Sequence, residues 1–313
     1  MEDLFIEKNI SPMLLYESKP FDSENFIFEL KLDGFRCIAY LSKESVQLKS
    51  RNGKSLLKFF PELSNINKCV KEESILDGEI ICLDGEGKSD FFALQSRARQ
   101  KSKLKIDIMV KTQPVQFCVF DILYYAGKEL INLPLMIRKK YLKDYVKERN
   151  GIFIARYIST RGKDFFELTQ QQHLEGVVAK KKDSVYQIGK RSNNWLKMKV
   201  FCEDDVIICG YELKPTGEFK SALFGSYDKA GNFYIIGKVS LGTKPYEQTI
   251  LFQPKAQPLS SHYPHMIWIQ HRLVGTVQYL MKTKSGGFRH PVFKGVRKDK
   301  TVADIKKRNK EKE

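Results

Sequence analysis

The sequence predicts an α+β protein of two domains, a mixed first domain followed by a small β-barrel. Its 313 residues suit two domains of ordinary size. Strand-like segments outnumber helical ones, and the composition changes at 201–205 (FCEDD), after which short strands alternate with glycines. We therefore predict a first domain over 1–202, a second over 203–300 and a charged C-terminal tail over 301–313.

Short apolar runs bounded by turn residues predict the strands of the first domain. In chain order these runs are ENFIFELKL, RCIAYLS, SVQLKSRNG, SILDGEIICLD and VQFCVFDILYYAGKEL. The last run indicates two strands that meet at Ala126-Gly127. Apolar residues at helical spacing predict a helix in PLMIRKKYLKDYVKERN, ending at Asn150-Gly151, and GKDFFELTQQQHLE is a second helix candidate.

The second domain is predicted from strands with Gly-rich turns. Five or so short strands over about a hundred residues suit a β-barrel of the OB type. The segments are DVIICGYEL, SALFGSYDKAGNFYIIGKVSLG and HMIWIQHRLVGTVQYLM. The final stretch, KDKTVADIKKRNKEKE, is highly charged and indicates a frayed helix or a tail.

The charge balance favours a polyanionic partner. Lys and Arg total 54 against 37 Asp and Glu, a formal charge of +17. A solvated basic surface is the plain alternative, but nucleic acid is the commonest partner of so large an excess.

Several classes of protein are disfavoured. The six cysteines form no CxxC pair, which argues against a zinc site. Gly87-Lys88-Ser89 resembles the end of a P-loop, but Cys82 stands where that motif needs glycine. The N-terminus is unlike a signal peptide, and no apolar run approaches the ~20 residues of a membrane span. We expect a cytoplasmic protein without a membrane partner.

The segment FIFELKLDGFRCIAY places charged residues inside an apolar run. By the two-residue period of a strand, Glu29, Lys31 and Asp33 share one face. Leu30 and Leu32 then face the other way, so the charged face suits the wall of an active site. A lysine nucleophile there must lose its proton, which desolvation, other cations or a divalent metal would favour. A surface lysine that extends to water is the competing interpretation.

Other residues could supply phosphate, metal and base contacts. Glu79 in LDGEI and Glu175 in LEGVVAK adjoin apolar strand residues, and two such carboxylates could hold Mg²⁺. Lys197 and Lys199 in NWLKMK alternate with apolar residues, so both point to one face and could neutralise phosphate charge. Phe120 in VFDIL could stack on a base, although phenylalanine more commonly lies in a core.

The motif KLDGFR resembles the nucleotidyl-lysine motif of the ATP-dependent DNA ligases and related covalent nucleotidyltransferases. Further similar motifs extend the resemblance over 26–300: SRNG, LDGEI, VFDIL, EGVVAK, WLKMK and FRHPVFKGVRKDK. HPVFKGVR before RKDK is most similar to the ligase domain of bacterial ligase D. The resemblance implies a nucleotidyltransferase (ATP-grasp-like) domain of antiparallel sheets with flanking helices, followed by an OB-fold β-barrel.

The resemblance also implies the catalytic roles. Lys31 would take AMP from ATP and release pyrophosphate. Lys197 and Lys199 would contact the α-phosphate. Glu175 would be a carboxylate of the metal site, and Glu79 would assist in binding Mg²⁺ (or Mn²⁺).

For the nucleotide, the resemblance implies that Glu29 helps to read the adenine amino group. Phe120 would stack on one face of the adenine and Val177 on the other. Arg51 and Glu79 would contact the ribose.

Phosphate contacts are implied for the remaining motif residues. Arg36 would bind phosphate, including the 5′-phosphate at a nick, and Arg289 is a weaker candidate for DNA or phosphate. Arg297 and Lys300 would close over ATP and orient the pyrophosphate. We expect Asp33 to orient its neighbours.

The function implied is ATP-dependent sealing of 5′-phosphate/3′-hydroxyl breaks in duplex DNA during repair. The expected protein is a nucleoid-associated monomer that binds nicked or broken duplex DNA, with a Ku-type end-binding protein as a candidate partner. Only about 30 residues precede Lys31, so we expect no N-terminal DNA-clamping domain, and binding that depends strongly on salt. Alternatives are an RNA ligase, a capping guanylyltransferase and, from another class, an OB nucleic-acid-binding protein without catalysis.

Overall fold

The computed structural model describes residues 3–283 and 285–311, without the side chains of residues 271, 272, 310 and 311. Its contacts divide the chain into two units, one ending at Val200 and the other beginning at Phe201. The sequence predicts this division between residues 202 and 203, two residues after the division that the structure shows.

The first unit combines many strands with a few helices. Its strands are β1 (Leu14–Glu17), β2 (Ser23–Leu30), β3 (Phe35–Leu41), β4 (Val46–Ser50), β5 (Ser74–Cys82), β6 (Val115–Tyr125), β7 (Lys128–Glu129), β8 (Ile152–Ile154), β9 (Tyr157–Thr160), β10 (Gly176–Lys181) and β11 (Arg191–Lys199). Its helices are α1 (Leu4–Glu7), α2 (Phe91–Ala98), α3 (Lys103–Thr112), α4 (Leu135–Tyr145) and α5 (Gly162–Gln171), with a 3₁₀ helix over Pro61–Cys69.

The strands of the first unit form two sheets. One has the order β1-β11-β10-β2-β9 and is antiparallel except where β1 pairs with β11. The other has the order β4-β3-β5-β6-β7, all antiparallel, and β8 joins β6 in parallel. The predicted α+β class with antiparallel sheets is confirmed.

The two sheets pack on each other through a shared apolar cluster. Ile27 of β2 and Trp195 of β11 come from the first sheet, while Ile38, Ile75 and Leu123 come from the second. Each of these side chains is fully buried. The cluster fixes the spacing of the two sheets, and therefore the shape of any space left between them.

The observed turns and helices test three local predictions from the sequence. The turn at Ala126-Gly127 is confirmed, with both residues in the left-handed region at φ 49° and 79°. The helix over Gly162–Gln171 is confirmed, but α4 ends at Tyr145 rather than at Asn150-Gly151. The reason is that Val146 packs into the core in an extended conformation, after which Lys147 donates its backbone N–H to Cys69 at 2.8 Å.

The second unit is an OB-fold built on one sheet. Its strands are β12 (Cys202–Leu213), β13 (Phe219–Tyr227), β14 (Phe233–Val239), β15 (Ile267–Tyr279) and β16 (Val292–Val296), and its helices are α6 (Glu247–Leu251) and α7 (Val302–Glu311), with a 3₁₀ helix over Lys244–Tyr246. The order is β14-β13-β12-β15-β16, antiparallel throughout. The predicted second domain of about five strands is confirmed.

Of the two alternatives for the charged C-terminal stretch, a frayed helix or a tail, the helix is the correct one, but it is packed rather than frayed. Residues 302–311 form α7, which packs on the sheet instead of extending into solvent. Ile305 is 1% exposed and lies in a cluster with Ile207 and Val274. Asn309 donates Nδ2–H to Ser226 Oγ at 2.8 Å. An apolar residue within a charged helix is therefore enough to anchor it.

The other helices in the described part of the chain are also short. Among residues 3–283 and 285–311, no helix is both long and apolar enough to cross a membrane.

Candidate active site

A cavity of about 510 Å³, partly open to solvent, lies between the two sheets of the first unit. Strands of both sheets contribute to its wall, and Lys31 stands at the end of one of them. The lining residues are Leu15, Glu29, Leu30, Lys31, Leu32, Arg36, Glu79, Phe120, Ala155, Val178, Lys180 and Trp195.

Lys31 lies just beyond the strand that leads to it. β2 ends at Leu30, so the predicted alternation over Glu29, Lys31 and Asp33 is wrong beyond that point. Lys31 still donates its backbone N–H to Gly176 at 2.9 Å, which holds the chain at the sheet edge. Beyond the strand, the consecutive residues Lys31 and Leu32 both line the cavity.

The ammonium group of Lys31 is paired with a carboxylate. Its Nζ lies 2.7 Å from Glu175 Oε1, and the side chains are 22% and 14% exposed. Glu175 directly precedes β10, which pairs with β2, so the sheet itself brings the two residues together. The nucleophile predicted from the sequence and one predicted metal carboxylate are thus neighbours.

Glu79 is the second predicted carboxylate at this site. It lies opposite Arg36 in the β3–β5 ladder. Burial raises the pKa of Glu79 to about 8, while the charges of Arg36 and Lys31 oppose the shift and that of Glu175 adds to it. Burial therefore favours the protonated form of Glu79, and a bound cation would favour its ionised form.

Glu29 is enclosed by two lysines. Its side chain is nearly fully buried, Lys180 Nζ lies 2.7 Å from Oε2, and Lys139 Nζ pairs with Oε1. Burial lowers the pKa of Lys180 to about 8, against the opposing effect of Glu29. Paired charges satisfy the carboxylate in a site from which water is largely excluded.

Phe120 forms an aromatic wall together with Trp195, the two ring centroids being 6.2 Å apart. Cations lie against this wall: Lys180 Nζ is 4.0 Å and Arg36 Cζ is 4.5 Å from the Phe120 centroid. Arg36 also donates Nε–H and Nη2–H to the two carboxylate oxygens of Asp77, each at 2.6 Å. The guanidinium fork is therefore bidentate on a protein carboxylate here, and the guanidinium also lies over the aromatic ring.

The assignment of Val177 is corrected. Val177 is fully buried in a cluster with Phe28 and Met198, on the face of the sheet away from the cavity. Because side chains alternate along a strand, its neighbours Val178 and Lys180 line the cavity instead.

Lys197 and Lys199 share one side of β11, as predicted. Their Nζ atoms lie 3.8 Å and 3.2 Å from the same oxygen of Glu17. Burial, and then the charge of Lys199, lower the pKa of Lys197. Neither lysine lines the cavity itself, and neither does Arg51, which lies in the exposed turn after β4.

Two predicted residues of the second unit, Arg297 and Lys300, contact an acidic residue of that same unit. Lys300 Nζ is 2.5 Å from Asp205 Oδ2, and Arg297 Nη1 is 3.3 Å from Oδ1. Arg297 also donates Nη2–H to Asp299 at 2.6 Å. Arg289 donates Nη1–H to the sulfur of Met281 at 3.6 Å.

Comparison with known families decides the identity of the chain. Residues 12–199 match the model of the ATP dependent DNA ligase domain, and residues 215–300 match the ATP dependent DNA ligase C terminal region. The first match alone spans more than half of the chain. The chain belongs to the ATP-dependent DNA ligases.

Relatives of this ligase include small and large proteins. The SPbeta prophage-derived DNA ligase-like protein LigB of Bacillus subtilis is 31% identical over 92% of this chain and 99% of its own length. The multifunctional non-homologous end joining protein LigD of Mycolicibacterium smegmatis is 28% identical over 95% of this chain, which spans only 40% of LigD. The similarity thus covers all of one relative and a minor part of the other.

A solved structure agrees with these relatives. The mycobacterial DNA ligase D complexed with ATP and MES is 25% identical, with a TM-score of 0.57, over 95% of this chain and 98% of that one. A Lig E DNA ligase, 17% identical with a TM-score of 0.63, shares the fold over 92% of this chain. The predicted resemblance to the ligase domain of ligase D is confirmed.

The two lysines that pair with Glu29 are absent from the sequence predictions. Lys180 ends the EGVVAK motif and alternates with Val178, so the strand period could have placed it in the cavity. Lys139 belongs to α4, where a lysine ordinarily indicates the solvent face. Its contact with Glu29 joins positions 110 residues apart, and no local pattern predicts it.

Proposed function

We propose that this ligase seals 5′-phosphate/3′-hydroxyl breaks in duplex DNA through a lysyl-AMP intermediate on Lys31. The observation that carries the proposal is the position of Lys31 on the cavity wall, 2.7 Å from Glu175 and with Glu79 in the same wall. A nucleophile, nearby carboxylates and a cavity beside them are what lysyl adenylation requires.

The reaction proceeds in three transfers. Lys31 loses a proton and its Nζ attacks the α-phosphorus of ATP, forming a P–N bond as the bond to pyrophosphate breaks. The 5′-phosphate oxygen of the break then attacks the same phosphorus, which frees Lys31 and gives adenylated DNA. Finally the 3′-hydroxyl, losing its proton, attacks the 5′-phosphorus and AMP leaves.

The adenine is proposed to occupy the space beside Phe120. Its other face would meet Val178, since Val177 lies on the far side of the sheet. Glu29 would accept a hydrogen bond from the adenine amino group, and Lys180 and Lys139 hold its carboxylate in place. We retain Arg51 and Glu79 as proposed ribose contacts.

Mg²⁺, or Mn²⁺, is proposed to bind through Glu79 and Glu175. Carboxylate oxygens are the ligands this ion prefers, and ATP phosphates and water would complete its coordination. The described residues contain no cluster of three or more His, Cys, Asp or Glu that could hold a metal alone. A site completed by the nucleotide fits this donor set, and the ion would supply charge neutralisation at the phosphates.

The remaining cations are proposed to contact phosphate. Lys197 and Lys199 would bind the α-phosphate, and Arg36 the 5′-phosphate of the break. Arg297 and Lys300 would leave Asp205 to orient the pyrophosphate, and Arg289 would contact DNA.

The biological setting is proposed from the relatives. LigD carries non-homologous end joining in its name, which supports a role for this ligase at broken duplex DNA with a Ku-type protein. We propose that it works as a monomer at the bacterial nucleoid.

Labelling and sealing assays test the function directly. Lys31→Ala should lose all transfer of labelled AMP from ATP and all sealing of nicked duplex DNA, because Lys31 supplies the nitrogen of the P–N bond. Lys19→Ala, at an exposed position, should keep both activities. Labelling that survives in Lys31→Ala would refute the nucleophile, while preference for GTP or for nicked RNA would identify a capping enzyme or an RNA ligase.

A further inference from the structure

A basic groove lies on the surface of the first unit, and it shares no lining residue with the cavity of Lys31. One side consists of Lys58, Phe59 and Pro61, which lead into the 3₁₀ helix. The other side is residues 98–107, from the end of α2 into α3. The open space between the sides is about 1250 Å³.

The charge of the basic groove is strongly one-sided. Lys58, Arg99, Lys101 and Lys103 line it, against the single carboxylate of Asp107. All four cations are exposed, and no ion pair between described residues involves them. Cations that have no protein carboxylate to neutralise them are available to an external anion.

A buried ion pair next to the groove joins its two sides. Arg97, 1% exposed, donates Nη2–H to Glu62 at 3.0 Å and to the carbonyl of Phe59 at 3.1 Å. It also donates Nη1–H to the carbonyl of Gln113 at 2.8 Å. Because Arg97 lies in the last turn of α2 and Glu62 in the first turn of the 3₁₀ helix, this pair connects one side to the other. The groove is therefore preformed, and a ligand need not order it.

The sequence of α3 is not explained by packing. None of its ten residues is buried, and Leu104 and Ile108 are 70% and 52% exposed. This helix contributes no buried side chain to the core but places Lys103 at the groove, which indicates a role at the surface.

We propose that the basic groove binds the phosphodiester backbone of the duplex DNA on which the ligase acts, apart from the nucleotide cavity. The inference rests on the proposed function. Each cation would neutralise a phosphate and release condensed counterions. Phe59 and Ile106 give the groove an apolar surface that suits deoxyribose. The excess of cations over one carboxylate favours a polyanion over a protein with mixed charges.

The test removes three groove charges by Lys58→Gln, Lys101→Gln and Lys103→Gln in one variant. Its affinity for nicked duplex DNA should fall by about tenfold or more, and the slope of log affinity against log salt should flatten by about 0.9 for each phosphate that the variant no longer neutralises. Adenylation of Lys31 by ATP should keep its normal rate, which also shows that the variant is folded.

A matched variant controls for net charge, with glutamine at the exposed positions Lys43, Lys71 and Lys147. It should keep the wild-type affinity and salt slope. Equal losses in both variants, or loss of Lys31 labelling in the groove variant, would overturn the proposal. Unchanged DNA affinity in the groove variant would also overturn the proposal. That result would favour an acidic protein as the partner that binds the groove. Failure of the wild type to seal nicks would count against the proposed function alone, since the groove is judged by binding.

Discussion

The surroundings of Glu79 have opposing effects on the ionisation of its carboxyl group. Burial favours its neutral form, Arg36 and Lys31 favour its charged form, and Glu175 repels that charge. The balance leaves its pKa at about 8, against 4.5 in the unfolded chain. Between these values the folded protein holds a proton that the unfolded chain has released, so Glu79 makes the fold less stable as the pH rises.

Replacing Glu79 should remove this pH dependence. In the absence of divalent metal, the free energy of unfolding of Glu79→Gln should fall less steeply than that of the wild type between about pH 5 and pH 8, by at most about 1.4 kcal/mol per pH unit. Urea unfolding at a series of pH values measures how the free energy of unfolding changes with pH. The exposed control Glu44→Gln should keep the wild-type slope. Identical slopes in all three proteins would show that Glu79 is ionised throughout.

Single residues also show how far sequence reasoning reaches. Lys31, Glu79 and Phe120 are placed in the cavity because the motifs that contain them adjoin buried strands. Val177 is misplaced by one position, and in a strand one position is the difference between opposite faces. A base-stacking role can be assigned to a motif from its sequence. Which residue of the motif faces the base depends on the register of the strand.

At the scale of elements, α4 is fixed to the second sheet by a buried ion pair. Arg138 donates Nε–H and Nη2–H to Asp121 of β6, each at 2.8 Å, and both side chains are fully buried. Arg138 also donates Nη1–H to the carbonyl of Ser184 at 2.9 Å. The same helix carries Lys139 to Glu29, so the docking of α4 positions a cavity residue.

Breaking this pair should be costly. Arg138→Met leaves the Asp121 carboxylate buried without its partner, and we expect a loss of about 3–5 kcal/mol of stability. The double variant Arg138→Met/Asp121→Asn should recover part of the loss, because the uncompensated charge is gone. Lys140→Met, at an exposed neighbouring position, should change stability little. Urea unfolding measures all three, and a double variant no more stable than the single one would contradict the argument.

Elements are predicted best where a local signal defines them. The turn after β6 has its glycine, and α5 has its periodicity. The end of α4 is set instead by the burial of Val146, and α7 by the contact of Ile305 with two strands of the sheet. Both depend on residues distant in sequence, so composition alone indicates a longer helix in one case and a frayed helix or a tail in the other.

At the scale of the whole molecule, the charge of +17 should govern the encounter with DNA. A duplex carries condensed counterions that are released as cations replace them at the phosphates. If about six phosphates are contacted, affinity for a nicked duplex should fall by roughly 10³ between about 50 mM and 200 mM salt. Titration of labelled nicked DNA at several salt concentrations measures the slope.

The transfer of AMP to Lys31 is the internal control for this prediction. It takes place at the partly open cavity that Lys31 lines and needs no DNA, so we expect it to change far less than DNA affinity over the same salt range. A flat DNA affinity would show that the basic surface does not hold the duplex. An equal fall in both activities would point instead to salt acting on the protein itself.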